Sequence, residues 1–311
     1  LAPVFDGGSP VVDYQVECSV DGGVSWVRLQ RGVSTGLTFT VSSLIRSSEY
    51  RFRVAAVNGV GVGPVSVTVI GWTSMVVPSP VRSLTVASVS SSSVMLSWLE
   101  PIDDGGSKVI DYVLQVSADQ GASWQVYGDG VSVDSSVQVS FLTPGVTYWF
   151  KVAAVNAVGV SVVSSVVTAK TLAIPPVKVA GLEVTNISSS TMLLSWAATS
   201  FDGGSPVTSY QVQVSEDNGL SWHVLAVTDP TQQSFQVTGL QAAKTFTFKV
   251  NAINQAGISL DSNTVSAATK PTYASSVTGL KIDSASNDSI QISWLAPVFD
   301  GGSPVVDYQV E

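Results

Sequence analysis

Residues 104–112 read Asp-Gly-Gly-Ser-Lys-Val-Ile-Asp-Tyr, a double-glycine turn leading into an alternating apolar run, and the same turn opens at Asp6, Asp202 and Asp300. In every copy a tyrosine follows eight positions after the aspartate, at Tyr14, Tyr112, Tyr210 and Tyr308, and each copy lies 98 residues from the next. Self-similarity at a fixed period decides the architecture, because each repeat has to be one unit of the same structure.

Working outward from this stretch, the other markers keep the same step. Ser-Trp pairs form two series, Trp98, Trp196 and Trp294, and Trp26, Trp124 and Trp222. A third aromatic series is Tyr50, Tyr148 and Phe246, and an Asn recurs at Asn58, Asn156 and Asn254, each followed three residues later by glycine. Within a repeat, Val94-Met95-Leu96-Ser97-Trp98 and Tyr148-Trp149-Phe150-Lys151-Val152 alternate with the period of half-buried strands. Asp-Gly-Gly, Gln-Gly and Pro-Gly turns separate the runs. Several short strands at this spacing predict an all-β sandwich, and nothing has helical periodicity.

These residues resemble the fibronectin type III family, in the variant common in bacterial surface and secreted proteins. The likeness rests on the Gly-Gly-Ser-Pro turn, the Tyr-x-Val that follows it, Asp-x-Gly-x-Ser-Trp, the Leu-x-x-Gly/Pro-x-x-Tyr that enters strand F at Tyr148, and Ala-Val-Asn-x-x-Gly, and it covers nearly the whole chain. The resemblance implies immunoglobulin-like sandwiches of seven strands in two sheets, with the strand-B Trp98, Trp196 and Trp294 in the core. It also implies that Tyr50 and Tyr148 on strand F form the tyrosine corner. Phe246 departs from that pattern and gives up the corner hydroxyl.

Prolines mark the joints at Val77-Pro78-Ser79-Pro80, Ile174-Pro175-Pro176 and Lys270-Pro271. The fixed φ of proline stiffens these short stretches and predicts a preferred orientation between neighbours. Complete modules are expected over 76–172 and 173–270. Residues 1–75 lack strands A and B of a module, and residues 271–311 hold strands A and B and the start of C. Residues 295–311 repeat residues 1–17 at all 17 positions, whereas 99–115 and 197–213 match at 9 and 11. That contrast predicts a higher-order period of 294 residues and a chain that is one window of a longer array.

The chemistry of the composition narrows function. A net charge of −9 with 12% charged residues offers no basic face for nucleic acid. One cysteine, Cys18, excludes an internal disulfide framework, and alternation puts it on the core side with Tyr14, Tyr112 and Tyr210. No apolar run reaches the roughly 18 residues of a membrane-spanning helix. The single histidine, His223, has no counterpart in other repeats and reads as a surface strand residue. The Asp-Gly-Gly turns, including Asp103-Asp104, supply too few carboxylates at set spacing for calcium and read as turns. No metal, cofactor or catalytic residue is expected, and the chain is read as not an enzyme.

Residues that break the repeat are the candidates for contact. Trp149, flanked by core-facing Tyr148 and Phe150, is expected to point outward for a lateral contact between chains. Trp72 lies beside a joint and is expected to pack against the adjoining module. The function expected is a non-catalytic structural repeat of a giant extracellular surface protein or filament, a semi-rigid spacer and adhesion scaffold. Its partners would be neighbouring copies of the same protein, with other surface proteins or glycans besides. The alternative is an accessory or carbohydrate-binding array of a secreted hydrolase, for which the Trp26, Trp124 and Trp222 series is the only candidate platform.

Overall fold

The computed structural model describes residues 3–311, which form strands, turns and loops without a helix. The first stretch makes β1 (Val11–Ser19), β2 (Val27–Arg28), β3 (Glu49–Asn58), β4 (Val62–Val65) and β5 (Val69–Trp72). They join in one sheet of order β2-β1-β3-β4, with β5 also on β3. The face of this sheet lined by Val16, Leu37, Phe39, Phe52 and Val54 is an open groove.

The second stretch holds β6 (Arg82–Val89), β7 (Val94–Leu99), β8 (Asp111–Ser117), β9 (Gln125–Val126), β10 (Ser136–Val139), β11 (Thr147–Val155) and β12 (Val167–Lys170). In family lettering these are strands A, B, C, C′, E, F and G. They divide into a three-stranded sheet β10-β7-β6 and a four-stranded sheet β12-β11-β8-β9. The third stretch repeats the plan with β13 (Glu183–Thr185), β14 (Met192–Ser195), β15 (Ser209–Ser215), β16 (His223–Thr228), β17 (Ser234–Val237), β18 (Thr245–Asn254), β19 (Gly257–Ile258) and β20 (Val265–Ala268). Its sheets run β13-β14-β17 and β16-β15-β18-β19, with β20 on β18. A last hairpin pairs β21 (Thr278–Ala285) with β22 (Ile290–Leu295).

Alternation does the folding work. On β8 and β11 the inward positions Tyr112, Leu114, Tyr148, Phe150 and Val152 are buried, and they face Val94, Leu96 and Trp98 of β7. In the third stretch Met192, Leu194, Val212, Phe248 and Val250 are wholly buried in one cluster. Each such side chain contributes roughly 1.5–3 kcal/mol by leaving water. A cross-sheet pair marks the second and third cores: Trp98 meets Tyr112 edge to face with centroids 5.2 Å apart and Trp196 meets Tyr210 at 5.7 Å, and Trp294 meets Tyr308 in the same way at 5.4 Å beside the last hairpin. The Tyr50 hydroxyl accepts a hydrogen bond from the Ile45 N–H at 2.7 Å, closing the tyrosine corner. Phe246 keeps its ring buried without that bond.

Contact density divides the chain into two compact units. One holds the chain up to Val89 with Ser93–Ser140 and Thr147–Ala169; the other holds Ser90–Ser92, Phe141–Val146 and everything from Lys170.

Candidate functional site at the module ends

The entry stretch of each module and the end of strand F both attach to the double-glycine turn. Gly203 and Gly204 have φ of 79° and 81°, values that glycine reaches without the Cβ penalty. The Asp202 carboxylate accepts from the Gly204 N–H at 2.8 Å and caps the turn. In the second module Asp103 and Asp104 do the same for Gly105 and Gly106, both at 2.8 Å, so one oxygen of each carboxylate is taken by turn backbone.

The stretch that enters each module straps onto this turn. The Ile174 N–H donates to the Gly203 carbonyl at 2.9 Å and the Val177 N–H to the Phe201 carbonyl at 3.0 Å. Val76 to Gly105 at 2.9 Å and Ser79 to Asp103 at 2.8 Å repeat the pair, as do Thr272 to Gly301 and Ser275 to Phe299, both at 2.8 Å. A Cβ on Gly203 would collide with the Ile174 carbonyl, so the first glycine is required by close approach as well as by φ.

Asn254, at the end of β18, ties strap and turn together. Its side-chain amide donates to the Ile174 and Asp202 carbonyls, each at 2.7 Å, while its Oδ1 accepts from the Ala256 and Gly257 N–H groups at 2.8 and 3.0 Å. That uses the full donor and acceptor capacity of a buried asparagine. Asn156 repeats the arrangement with Val76, Asp104, Val158 and Gly159, and Asn58 keeps the Asp6, Val60 and Gly61 contacts.

A threonine closes the other end. The Thr171 hydroxyl donates to the Thr143 carbonyl at 2.6 Å and accepts from the Val146 N–H at 3.0 Å. Thr269 holds Gln241 and Lys244 at 2.6 and 3.1 Å, and Thr73 holds Ile45 and Ser48 at the same two distances. Thr73, Thr171 and Thr269 stand 98 residues apart, a signal present in the sequence and not singled out from it.

The outer face of the larger sheet carries the second tryptophan series. Trp26 lies under Arg53, Trp124 under Lys151 and Trp222 under Lys249, with the cations 4.1, 3.9 and 4.3 Å from the ring centroids. The indole N–H of Trp222 donates to the Gly219 carbonyl at 3.1 Å and that of Trp26 to Gly23 at 3.0 Å. The loop before each tryptophan is clamped by an aspartate: Asp119 accepts from the hydroxyls of Ser117 at 2.7 Å and Ser123 at 2.5 Å and from the Ser123 N–H at 2.9 Å. These bonds to the charged form, led by Ser117, hold the Asp119 carboxyl down at about 2. Asp21 and Asp217, bonded foremost by Ser25 and Ser221, lie well below the ordinary carboxylate range.

The remaining candidates find definite places. Trp98 and Trp196 are buried and Trp294 is half-buried; Tyr14, Tyr112, Tyr210, Tyr50 and Tyr148 are buried core residues. Cys18 is buried, and burial pushes its thiol up. Trp149, opposite Ser117 on the adjacent strand, is half-buried rather than fully exposed. Trp72 is 69% exposed, so the expected packing against an adjoining module is not made. Its place at the end of β5, paired to Glu49, leaves the ring uncovered. His223 is exposed on β16 beside Val214. Among the described residues no three His, Cys, Asp or Glu side chains gather for a metal, and no helix is long and apolar enough to cross a membrane.

Comparison with known proteins places this geometry. A family model described as fibronectin type III domain matches residues 1–72, 79–170 and 175–268. Titin of Drosophila melanogaster is 27% identical over 285 residues, 88% of this chain and 2% of titin. Human myomesin-2 is 28% identical over 82% of this chain and 18% of its own length, and chicken striated-muscle M-protein is 29% identical over 79% and 17%. The chain thus spans a small part of each relative. All three are animal proteins, so the bacterial cast of the resemblance finds no support in them. A crystal structure of chicken CNTN1 FN1-FN3 domains covers 86% of the chain at 18% identity and a TM-score of 0.37, too loose a likeness to bear on module arrangement.

Proposed function

The chain belongs to the fibronectin type III domain family, and on that premise we propose that it is a non-catalytic structural spacer, a run of modules whose connecting residues are built into the modules themselves. One observation carries this reading. Backbone bonding runs almost unbroken through the second and third joints: Leu172 donates to Ser90 and Ile174 to Gly203, leaving Ala173 between them. Lys270 donates to Ser188 and Thr272 to Gly301, leaving Pro271. A free linker would be flexible and solvated; these joints have one residue of slack. Similarity to titin, myomesin-2 and striated-muscle M-protein supports the structural role.

The setting proposed is an extracellular surface protein or filament that associates with copies of itself. Low charge and the recurrence of residues 1–17 at 295–311 support it. The relatives do not bear on that setting, one of them being named for striated muscle. The carbohydrate-binding alternative loses its platform, because Trp26, Trp124 and Trp222 already carry a cation on the ring.

Stretching single molecules of the chain tests the spacer reading. Modules 76–172 and 173–270 should unfold one at a time, each releasing roughly 300 Å of chain, since an extended residue spans about 3.3–3.6 Å. A featureless extension without such steps would contradict a load-bearing spacer.

A further inference from the structure

We propose that the second glycine of each Gly-Gly turn is the docking seat for the E–F turn of the module before it, so that neighbours meet turn against turn in one orientation. The E–F turn precedes strand F, and in all three copies it places a residue at positive φ: Ser47 at 54°, Gly145 at 72° and Ala243 at 54°. Each of these stands 59 positions before a turn glycine, at Gly106, Gly204 and Gly302. Each facing pair lies inside a single compact unit.

The fit is close in every copy. A Cβ on Gly106 would stand 3.0 Å from the Cβ atoms of both Arg46 and Ser47. One on Gly204 would overlap the Pro144 carbonyl and Gly145, and one on Gly302 would overlap the Ala243 side chain. Gly8 holds the same turn position with φ of 78° and has nothing within 4 Å, since no E–F turn faces it in this chain. At Gly8 the described residues show the turn conformation only. At the other three positions the neighbouring module also requires the missing side chain.

The strap does not account for this contact, because it occupies the first glycine and leaves the second to the E–F turn. The chemistry of the seat differs along the chain. At the first joint Arg46 pairs with Asp103, both side chains being about half exposed, so salt screens that contact. The second joint brings Pro144 and Gly145 against bare glycine, and the third brings Ala243. The inference rests on the spacer reading but is tested separately from it.

Spin-label distance measurements on the full chain decide it, with buried Cys18 replaced by Val as in the other modules. Labels at Gln125→Cys and His223→Cys, exposed and equivalent, span the second joint; Val27→Cys and Gln125→Cys span the first. The seat predicts one narrow distance distribution across each joint. Gly204→Val should broaden the second and Arg46→Asp the first, while Gly8→Val, with the same φ penalty and no neighbour, changes neither. Should Gly204→Val unfold its module by circular dichroism, the surface variant Arg46→Asp decides alone. A broad distribution in the parent chain, or unchanged distributions in folded variants, overturns the seat even where the stretching steps are as expected.

Discussion

Asn254 and Ile174 are joined across 80 positions of sequence: the asparagine amide donates to the isoleucine carbonyl at 2.7 Å, so the end of strand F holds the residue at which the chain enters the module. The same amide reaches the Asp202 carbonyl in the double-glycine turn. One side chain thus fixes the entry of the chain, the B–C turn and, through Oδ1, its own F–G turn.

Replacing Asn254 by Ala leaves those carbonyls and N–H groups without partners in a buried site, which costs about 1–3 kcal/mol or more for several groups together. Asn58→Ala should cost less, because Asn58 is only half-buried and, among the described residues, its amide donates to the Asp6 and Ser9 carbonyls and to no entry strap. Urea unfolding of the two variants checks the order; equal losses would contradict the role given to the strap.

Phe246→Tyr should stabilise the third module by roughly 1 kcal/mol, the net worth of a hydrogen bond. The Tyr50 hydroxyl shows the partner available at this position, a turn N–H five residues earlier. Thermal unfolding reads the gain, and no gain would mean the turn before Phe246 is shaped differently from the one before Tyr50.

The aspartate clamps make a pH prediction with a definite sign. Asp119 has a folded-state value of about 2, against roughly 3.9 for an unperturbed aspartate. A depressed carboxylate contributes stability fully above its unfolded value and loses it as pH falls through the folded one. Melting temperature should therefore hold above about pH 4 and fall between pH 4 and 2. Asp119→Asn, which removes the titration, should flatten that stretch in its module; an unchanged slope would contradict the clamp.

Lys151→Met should cost about 0.5–1 kcal/mol, the usual worth of a cation on an aromatic face near the surface. Because that face is already covered, Trp124→Ala should leave retention on immobilised polysaccharides unchanged. Retention that depends on Trp124 would restore the carbohydrate-binding alternative.

Much of the fold was legible from the sequence because its determinants are periodic. The buried positions of β8 and β11 follow from alternation and the 98-residue step, which act locally, while the core place of Trp98 and the Tyr50 corner are what the resemblance to the fibronectin type III family implies. Asn156 and Thr171 were visible only as repeated letters. Their bonds reach carbonyls 80 and 28 residues away, and no local pattern encodes such a reach. The cover over Trp124 was hidden for a related reason: Lys151 arrives from another strand, through the register that sets it opposite Gln115. For Trp72, alternation gives the side on which a ring lies and says nothing of whether anything covers it.

The central claim is that the connecting residues belong to the hydrogen-bonded structure of the modules, and amide hydrogen exchange across 170–178 and 74–80 tests it most directly. The account predicts that Ile174, Val177, Val76 and Ser79 exchange slowly, together with the strands that follow them. Exchange of these amides at the rate of an unstructured peptide, while the module cores stay protected, would show free linkers and contradict the account.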